Sequence, residues 1–150
     1  MPAGRPSAVR SAPTPGIDVE VLAARAVSAP LPAAEVRGLC GLVAERFGVR
    51  AGHVAVHFVA PARIAELNRE HRAHDGPTDV LSFPIDGLDA LTEEAMRELG
   101  DVVICPEHTA DPREAVVHGM LHLLGMDHEL DDGEMLRLQD ELLAEVERRV

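Results

Sequence analysis

Three histidines in the C-terminal part of the chain have the spacing to bind one metal ion. His118 and His122 are four residues apart, and His128 follows Gly125. Side chains four apart on a helix lie one above the other, with about 5–6 Å between Cβ atoms, so both rings can reach an ion about 2.0–2.1 Å away. Gly125 fits the left-handed position just after a helix, where the chain would turn and bring His128 back. Three protein ligands leave a fourth tetrahedral position open, as in catalytic zinc sites, so the pattern predicts a metal-dependent hydrolase.

The spacing of these histidines matches the metzincin protease pattern H-E-x-x-H-x-x-G-x-x-H with one departure. Gly119 stands where those enzymes carry a glutamate. That glutamate takes the proton from the metal-activated water, and glycine has no side chain that could do so. A metzincin-like metalloprotease is therefore kept only as an alternative.

Four segments together resemble one known family. They are LNREHR at residues 67–72, PTDVLSFP at 77–84, GDVVI at 100–104 and HGMLHLLGMDH at 118–128. With these motifs in this order, the chain resembles the YbeY family of bacterial endoribonucleases over roughly residues 17–145. His71 stands where the family often has a tyrosine. The segment 105–117, before the histidine motif, is shorter than is usual in the family.

The resemblance implies a function and partners. The chain would be a metal-dependent, single-strand-specific endoribonuclease that hydrolyses RNA phosphodiesters, with a zinc-like ion held by His118, His122 and His128. It would act in maturation of the 3′ end of 16S ribosomal RNA and in ribosome quality control, on an rRNA precursor. The small ribosomal subunit or its associated proteins would be its partners. A non-catalytic ribosome-assembly factor with a structural metal is the second alternative.

Two further residues are predicted to be catalytic. Arg72 lies at the end of a predicted helix, where a guanidinium could hold a phosphate or stabilise charge on it in the transition state. The resemblance implies a functional arginine at this position, whereas an arginine judged by residue type alone is more often a solvated helix end. Asp127 is predicted to orient a ligating imidazole, and a general base or a turn residue next to Gly125 are the alternatives.

The metal chemistry leaves two questions open. Zinc is the predicted ion, but three imidazoles also suit Ni²⁺ or another divalent transition metal. A bound ion would lower the pKa of water and offset charge on the phosphoryl oxygens. The nucleophile could be that water or the 2′-hydroxyl of the RNA.

The charge of the chain is unusual for a protein that acts on RNA. The formal net charge is −12, all fourteen basic residues are arginine, and only 2% of residues are aromatic. RNA-binding surfaces are normally basic, and stacking platforms for single strands are aromatic. Much of the acid falls in 86–98 and 129–147, which we expect to face solvent away from a cleft. The composition therefore predicts weak binding of free RNA and delivery of the substrate by a partner.

The hydrophobic periodicity predicts an α+β fold with a mixed sheet of about four strands and helices packed on it. Alternating apolar residues indicate strands near 17–21, 54–58, 79–83 and 101–105. Helices are predicted at 32–47, 61–72, 112–124 and 132–149, with Asp111 as the N-cap of the third helix and the metal site on that helix and its Gly125 turn.

Residues 17–150 are predicted to form a single endoribonuclease domain behind a disordered tail, residues 1–16, which is rich in Pro, Ala and Ser. The tail lacks the apolar run of a signal peptide, and no stretch has the roughly 20 apolar residues that cross a bilayer. Cys40 and Cys105 are expected to be reduced thiols. We therefore expect a cytoplasmic protein.

Overall fold

Four strands and four α-helices make up the described part of the chain. The computed structural model describes residues 16–86 and 97–149. Both the predicted tail, except Gly16, and most of the acidic run 86–98 lie outside these ranges. A 3-10 turn at Pro106–His108 precedes the third helix. In chain order the elements are β1 (Asp18–Ala23), α1 (Ala33–Arg46), β2 (His53–Phe58), α2 (Pro61–Arg72), β3 (Val80–Pro84), β4 (Glu98–Ile104), α3 (Pro112–Leu123) and α4 (Glu134–Arg149).

The strands form one mixed sheet in the order β1-β2-β4-β3. β1 is parallel to β2, and β2 is parallel to β4. β3 is antiparallel to β4, with Leu81 opposite Val103 and Ser82 opposite Val102. β3 is therefore an edge strand within the described chain. This arrangement confirms the predicted α+β fold with a mixed four-stranded sheet and packed helices.

The sheet buries side chains on both faces, because alternate residues of a strand point in opposite directions. One face packs with α1, α3 and α4 into the main core, which includes Val54, Val56, Phe58, Val102, Ile104, Val116, Met120 and Leu142. The other face packs with α2 into a smaller cluster of Val59, Ile64, Leu81, Val103 and Cys105. The histidine helix α3 therefore belongs to the main core and contacts β3 and β4 directly.

The start and end of α3 follow from local chemistry. The Asp111 side chain accepts hydrogen bonds from the backbone N–H groups of Arg113 (3.0 Å) and Glu114 (3.4 Å), which have no partner within the helix. Pro112, with its fixed φ, occupies the first helical position. The helix ends at Leu123, and Gly125 has a φ of +97°. The predicted cap, helix and left-handed glycine are thereby confirmed.

Both cysteines are buried and unpaired. Burial raises the pKa of the Cys40 thiol to about 12, so this side chain is a neutral part of the core. Among the helices of the described residues, none is long and apolar enough to span a membrane.

Candidate metal centre and its cleft

The three predicted ligands converge in the folded chain. α3 places His118 and His122 one turn apart, and the turn at Gly125 returns His128 to them. The ring centroids are 4.8 Å apart for His118 and His122, 5.1 Å for His118 and His128, and 5.4 Å for His122 and His128. One ligand nitrogen from each ring lies within 4.8 Å of the other two. Within residues 16–86 and 97–149, these histidines are the one group of three or more potential metal ligands whose ligand atoms converge.

The cluster fits a transition-metal ion in geometry and in chemistry. Tetrahedral zinc with Zn–N bonds of about 2.0–2.1 Å needs ligand nitrogens about 3.4 Å apart, and the separations here, all within 4.8 Å, approach that value. Nδ1 of His128 is buried and has no hydrogen-bond partner. A buried polar atom without a partner is costly, and it lies beside two other imidazoles that share the preference for zinc, nickel or copper.

His118 has a hydrogen-bond partner on α4 that the histidine motif does not predict. Its Nδ1 lies 2.8 Å from Oε1 of Gln139 on α4. An amide oxygen can only accept, so the histidine donates from Nδ1 and its Nε2 carries a lone pair. A signal was present in the sequence: Gln139 interrupts the apolar stripe that Met135 and Leu142 form on α4.

His122 is held in its neutral form. Burial lowers the pKa of His122, and the charge of a protonated His118 lowers it further. A hydrogen bond to the Met126 backbone acts in the opposite direction without reversing the shift. The neutral imidazole is the form that coordinates a metal ion, so the ring is ready to bind one at neutral pH.

Gly119 is fixed by packing against the sheet. A Cβ at this position would lie 2.4 Å from Cγ1 of Val102 and 3.4 Å from Oγ of Ser82. The Ser82 hydroxyl donates to the Gly119 carbonyl at 3.0 Å, which joins β3 to α3. A glutamate side chain at this position would therefore be directed into the sheet rather than towards the histidines. The site thus lacks the catalytic glutamate of the metzincins and has no space for one.

An open cleft of about 780 Å³ contains the histidine cluster. Arg72, at the end of α2, lines the same cleft, so the structure brings this predicted residue together with the three histidines. The loop after Arg72 is anchored by Asn68, whose buried side chain donates to the Gly76 carbonyl at 3.0 Å. Ala73 ends α2 with a left-handed φ of +56°. This anchored turn positions Arg72 at the cleft.

Asp127 also lines the cleft, and its contacts are those of a turn residue. Its Oδ1 accepts the backbone N–H of Glu129 at 2.9 Å, and its carbonyl accepts from Leu130 and Asp131. Asp79 acts similarly at the start of β3, where its carboxylate accepts the Val80 N–H at 2.8 Å. The described contacts thus give Asp127 a local structural role, and its catalytic role stays a prediction.

The other histidines of the chain lie outside the cluster. His53 donates to Glu98 at 2.6 Å, and His57 donates to Asp101 at 2.9 Å. The His71 ring contacts Phe83 edge to face at a centroid distance of 5.0 Å. His74 lines the cleft but is not part of the group of convergent nitrogens.

Comparison with known proteins assigns the family. The family model described as "Endoribonuclease YbeY" matches residues 33–147, which include α1, most of α4 and all three histidines. The chain belongs to the YbeY endoribonuclease family. Curated YbeY endoribonucleases align over much of their length. The protein from Alkalilimnicola ehrlichii is 35% identical over 96% of this chain and 90% of its own. The protein from Nocardioides sp. is 38% identical over 77% and 89%, respectively.

A solved structure also resembles the YbeY fold seen here. The solution structure of TM1509 from Thermotoga maritima is 27% identical, covers 85% of this chain and 88% of its own, and aligns with a TM-score of 0.50. The family supports an endoribonuclease role for the chain, and therefore RNA as its substrate.

Proposed function

We propose that the chain is a metal-dependent, single-strand-specific endoribonuclease whose ion is held by His118, His122 and His128. The single observation that carries this proposal is the convergence of the three rings within the cleft that Arg72 also lines. Zinc is the proposed ion, because three neutral imidazoles with an open fourth position are typical of catalytic zinc. Nickel and copper are the competing ions for the same donors.

The ion and the residues of the cleft have different proposed roles in hydrolysis. When bound, the ion supplies Lewis acidity, which lowers the pKa of water and offsets charge on phosphoryl oxygens. Arg72 is proposed to hold the scissile phosphate with paired N–H donors and to stabilise the added negative charge in the transition state. Asp127 is proposed to orient the site through its turn or to accept a proton. Attack by water leaves a linear phosphate end, and attack by the 2′-hydroxyl leaves a cyclic one, so product ends identify the nucleophile.

The biological setting is proposed from the family. We place the enzyme in the cytoplasm, in maturation of the 3′ end of 16S ribosomal RNA and in ribosome quality control, with residues 17–150 as one domain. The net charge of −12 favours delivery of the substrate by the small ribosomal subunit or its proteins, because an acidic protein gains little from phosphate attraction.

The test compares metal content and RNA cleavage in matched histidine variants. His122→Ala removes a proposed ligand, and His57→Ala removes a histidine that pairs with Asp101 outside the cluster. We expect His122→Ala to lose its ion and to cleave a single-stranded RNA oligonucleotide at least about 100-fold more slowly, because loss of even an outer partner of a metal ligand costs about 10–100-fold. His57→Ala should keep both properties.

Equal cleavage by His122→Ala and the unaltered protein would reject the metal-dependent nuclease. A chain that keeps its ion and supports ribosome assembly in a deletion strain, but never cuts RNA, would instead be the non-catalytic assembly factor. Casein cleavage lost in His122→Ala would restore the metalloprotease alternative.

A further inference from the structure

We propose that Gln139 is the positioning residue of the metal centre and that it fixes the tautomer of His118 that can bind the ion. This inference rests on the proposed metal binding and adds a residue outside the histidine segment. It also assigns α4 a part in the site, because Gln139 lies on α4 whereas His118 lies on α3.

The contact is direct and partly buried. Oε1 of Gln139 lies 2.8 Å from Nδ1 of His118, and residue Gln139 is only 5% exposed. One turn away on each side, Met135 and Leu142 are buried in the main core. Glutamine is rarely this deeply buried without a polar partner, since an unsatisfied amide in the core costs free energy. Here the partner is one of the three proposed ligands.

The direction of the hydrogen bond determines which ring nitrogen can coordinate. A neutral imidazole carries one N–H and one lone pair. Donation from Nδ1 to the amide oxygen leaves the lone pair on Nε2. If the amide were reversed, its nitrogen would donate to Nδ1, and the proton would then occupy Nε2 and block coordination there. The orientation of one side chain on α4 therefore selects the binding-competent form of His118.

The three ligands differ in how they are supported. His122 has a hydrogen bond to the Met126 backbone, four residues along the chain. Nδ1 of His128 is buried without a partner. His118 is supported by a side chain 21 residues away, so the packing of α4 on α3 contributes to its orientation. Outer partners of this kind orient a ligating histidine and raise its affinity for metal.

The test measures zinc affinity by competition with a chromophoric chelator. Gln139→Leu removes the acceptor, and we expect the Kd for zinc to rise about 10–100-fold. Gln139→Glu keeps an acceptor oxygen at the same reach, so its Kd should stay within about threefold of the unaltered protein, far below the loss seen without an acceptor. Leu142→Val is the matched control: it perturbs the same helix at a buried position without touching His118, and its Kd should not change.

The tautomer is read directly by long-range ¹H–¹⁵N NMR on the unaltered, metal-free protein, which does not depend on the variants folding. A proton on Nδ1 of His118 supports the inference, and a proton on Nε2 overturns it. It is also overturned if Gln139→Leu binds zinc as tightly as the unaltered protein, or if Leu142→Val loses as much affinity. Absence of zinc binding by the unaltered protein would reject the proposed function itself, and this inference with it.

Discussion

At the scale of single residues, the candidate metal centre depends on the proposed ligands and also on Gly119, where any side chain would clash with the sheet. Gly119 lies between the proposed ligands His118 and His122 in the sequence, yet its Cα faces the sheet, where Val102 is too close to allow a Cβ. The bare backbone lets α3 approach β4 and lets the Gly119 carbonyl accept from Ser82. The distance between α3 and the sheet, and with it the position of His118, therefore depends on glycine at position 119.

We predict that Gly119→Ala lowers the free energy of unfolding by about 1–3 kcal/mol, because an inserted methyl overpacks a dense core. The cause can be isolated with Val102→Ala, which removes the methyl groups that the new Cβ would meet. In the double variant we expect the two losses to be less than additive, as measured by urea unfolding of all four proteins. Fully additive losses would show that crowding against Val102 is not the cause.

The residues that the sequence could identify are those whose signals are local. The histidine spacing, the Asp111 cap and the Gly125 turn each depend on neighbours within a few residues, and the structure confirms all three. Gln139 was missed because its contact joins α4 to α3 across 21 residues. A polar residue in an apolar helical stripe shows that a partner exists, but the partner is fixed only by packing.

At the scale of elements, the positions of helices and strands follow from local sequence patterns, whereas the pairing of the strands does not. The strands and helices fall within a few residues of the positions that apolar spacing predicts. The order β1-β2-β4-β3 and the reversed direction of β3 were not predicted, because strand pairing joins distant segments and leaves no periodic signal. The consequence for the site is specific: edge strand β3 lies beside α3 and contributes Val80, Leu81 and Ser82 to the cleft wall.

His53 links three strands of this sheet through its side chain. It lies on β2, donates to Glu98 on β4 at 2.6 Å, and is 3.3 Å from Glu20 on β1. The hydrogen bond to Glu98 raises the pKa of His53, and the charges of Glu98 and Asp18 add to this, while burial acts against it. Protonated His53 therefore binds these strands together more strongly than the neutral ring.

This contact predicts a pH dependence of stability. A histidine pKa raised in the folded state stabilises the fold below the unfolded pKa of about 6.5, and the contribution disappears as the pH rises through the folded value. We expect His53→Gln to cost up to about 1 kcal/mol at pH 5.5, because the pair is partly exposed to solvent, and clearly less at pH 8.5. Urea unfolding of both proteins in chelator measures the difference.

Glu98→Gln provides the control for this pH effect. In that background, the cost of His53→Gln should lose most of its pH dependence, because the main partner of the charged ring is gone. A cost that is equal at pH 5.5 and 8.5 in the unaltered background, or larger at pH 8.5, would contradict the assignment.

At the scale of the whole molecule, the charge distribution opposes the substrate. The chain carries a net charge of −12, and the cleft follows the same trend. Of the described residues that line it, Arg72 is the one guanidinium, against the carboxylates of Asp79, Asp127 and Glu129. For Glu129, the expectation that segment 129–147 faces away from the cleft was therefore wrong. A divalent ion bound to the histidine cluster would add two positive charges to this acidic cleft, at the proposed position of the scissile phosphate.

We therefore predict that RNA binding, and not only cleavage, requires the ion. A single-stranded oligonucleotide with a non-cleavable backbone should bind the zinc-loaded protein and lose most of its affinity in chelator. With few cationic contacts, the salt dependence should be shallow, with a slope of log K against log salt near −1, since each phosphate contact to a single strand contributes about −0.7. Fluorescence anisotropy at several salt concentrations measures both quantities.

Arg72→Gln is the informative variant for this measurement. It should weaken binding and make the salt slope shallower by about 0.7, the contribution of one phosphate contact. Zinc content should be unaffected, because Arg72 is not among the convergent ligands. Equal affinity in zinc and in chelator, or a steep slope unchanged by Arg72→Gln, would place the RNA on another surface.

The three proposed ligands all come from residues 118–128, whereas the groups that shape their surroundings come from β3, β4 and α4. Because the three imidazoles are close together along the chain, they would stay near one another after the rest of the fold is lost, and the denatured ensemble would still bind an ion weakly. Binding to the denatured ensemble subtracts from the protection that a ligand gives the native one. The rise in melting temperature on loading zinc should consequently be smaller than the native dissociation constant alone implies.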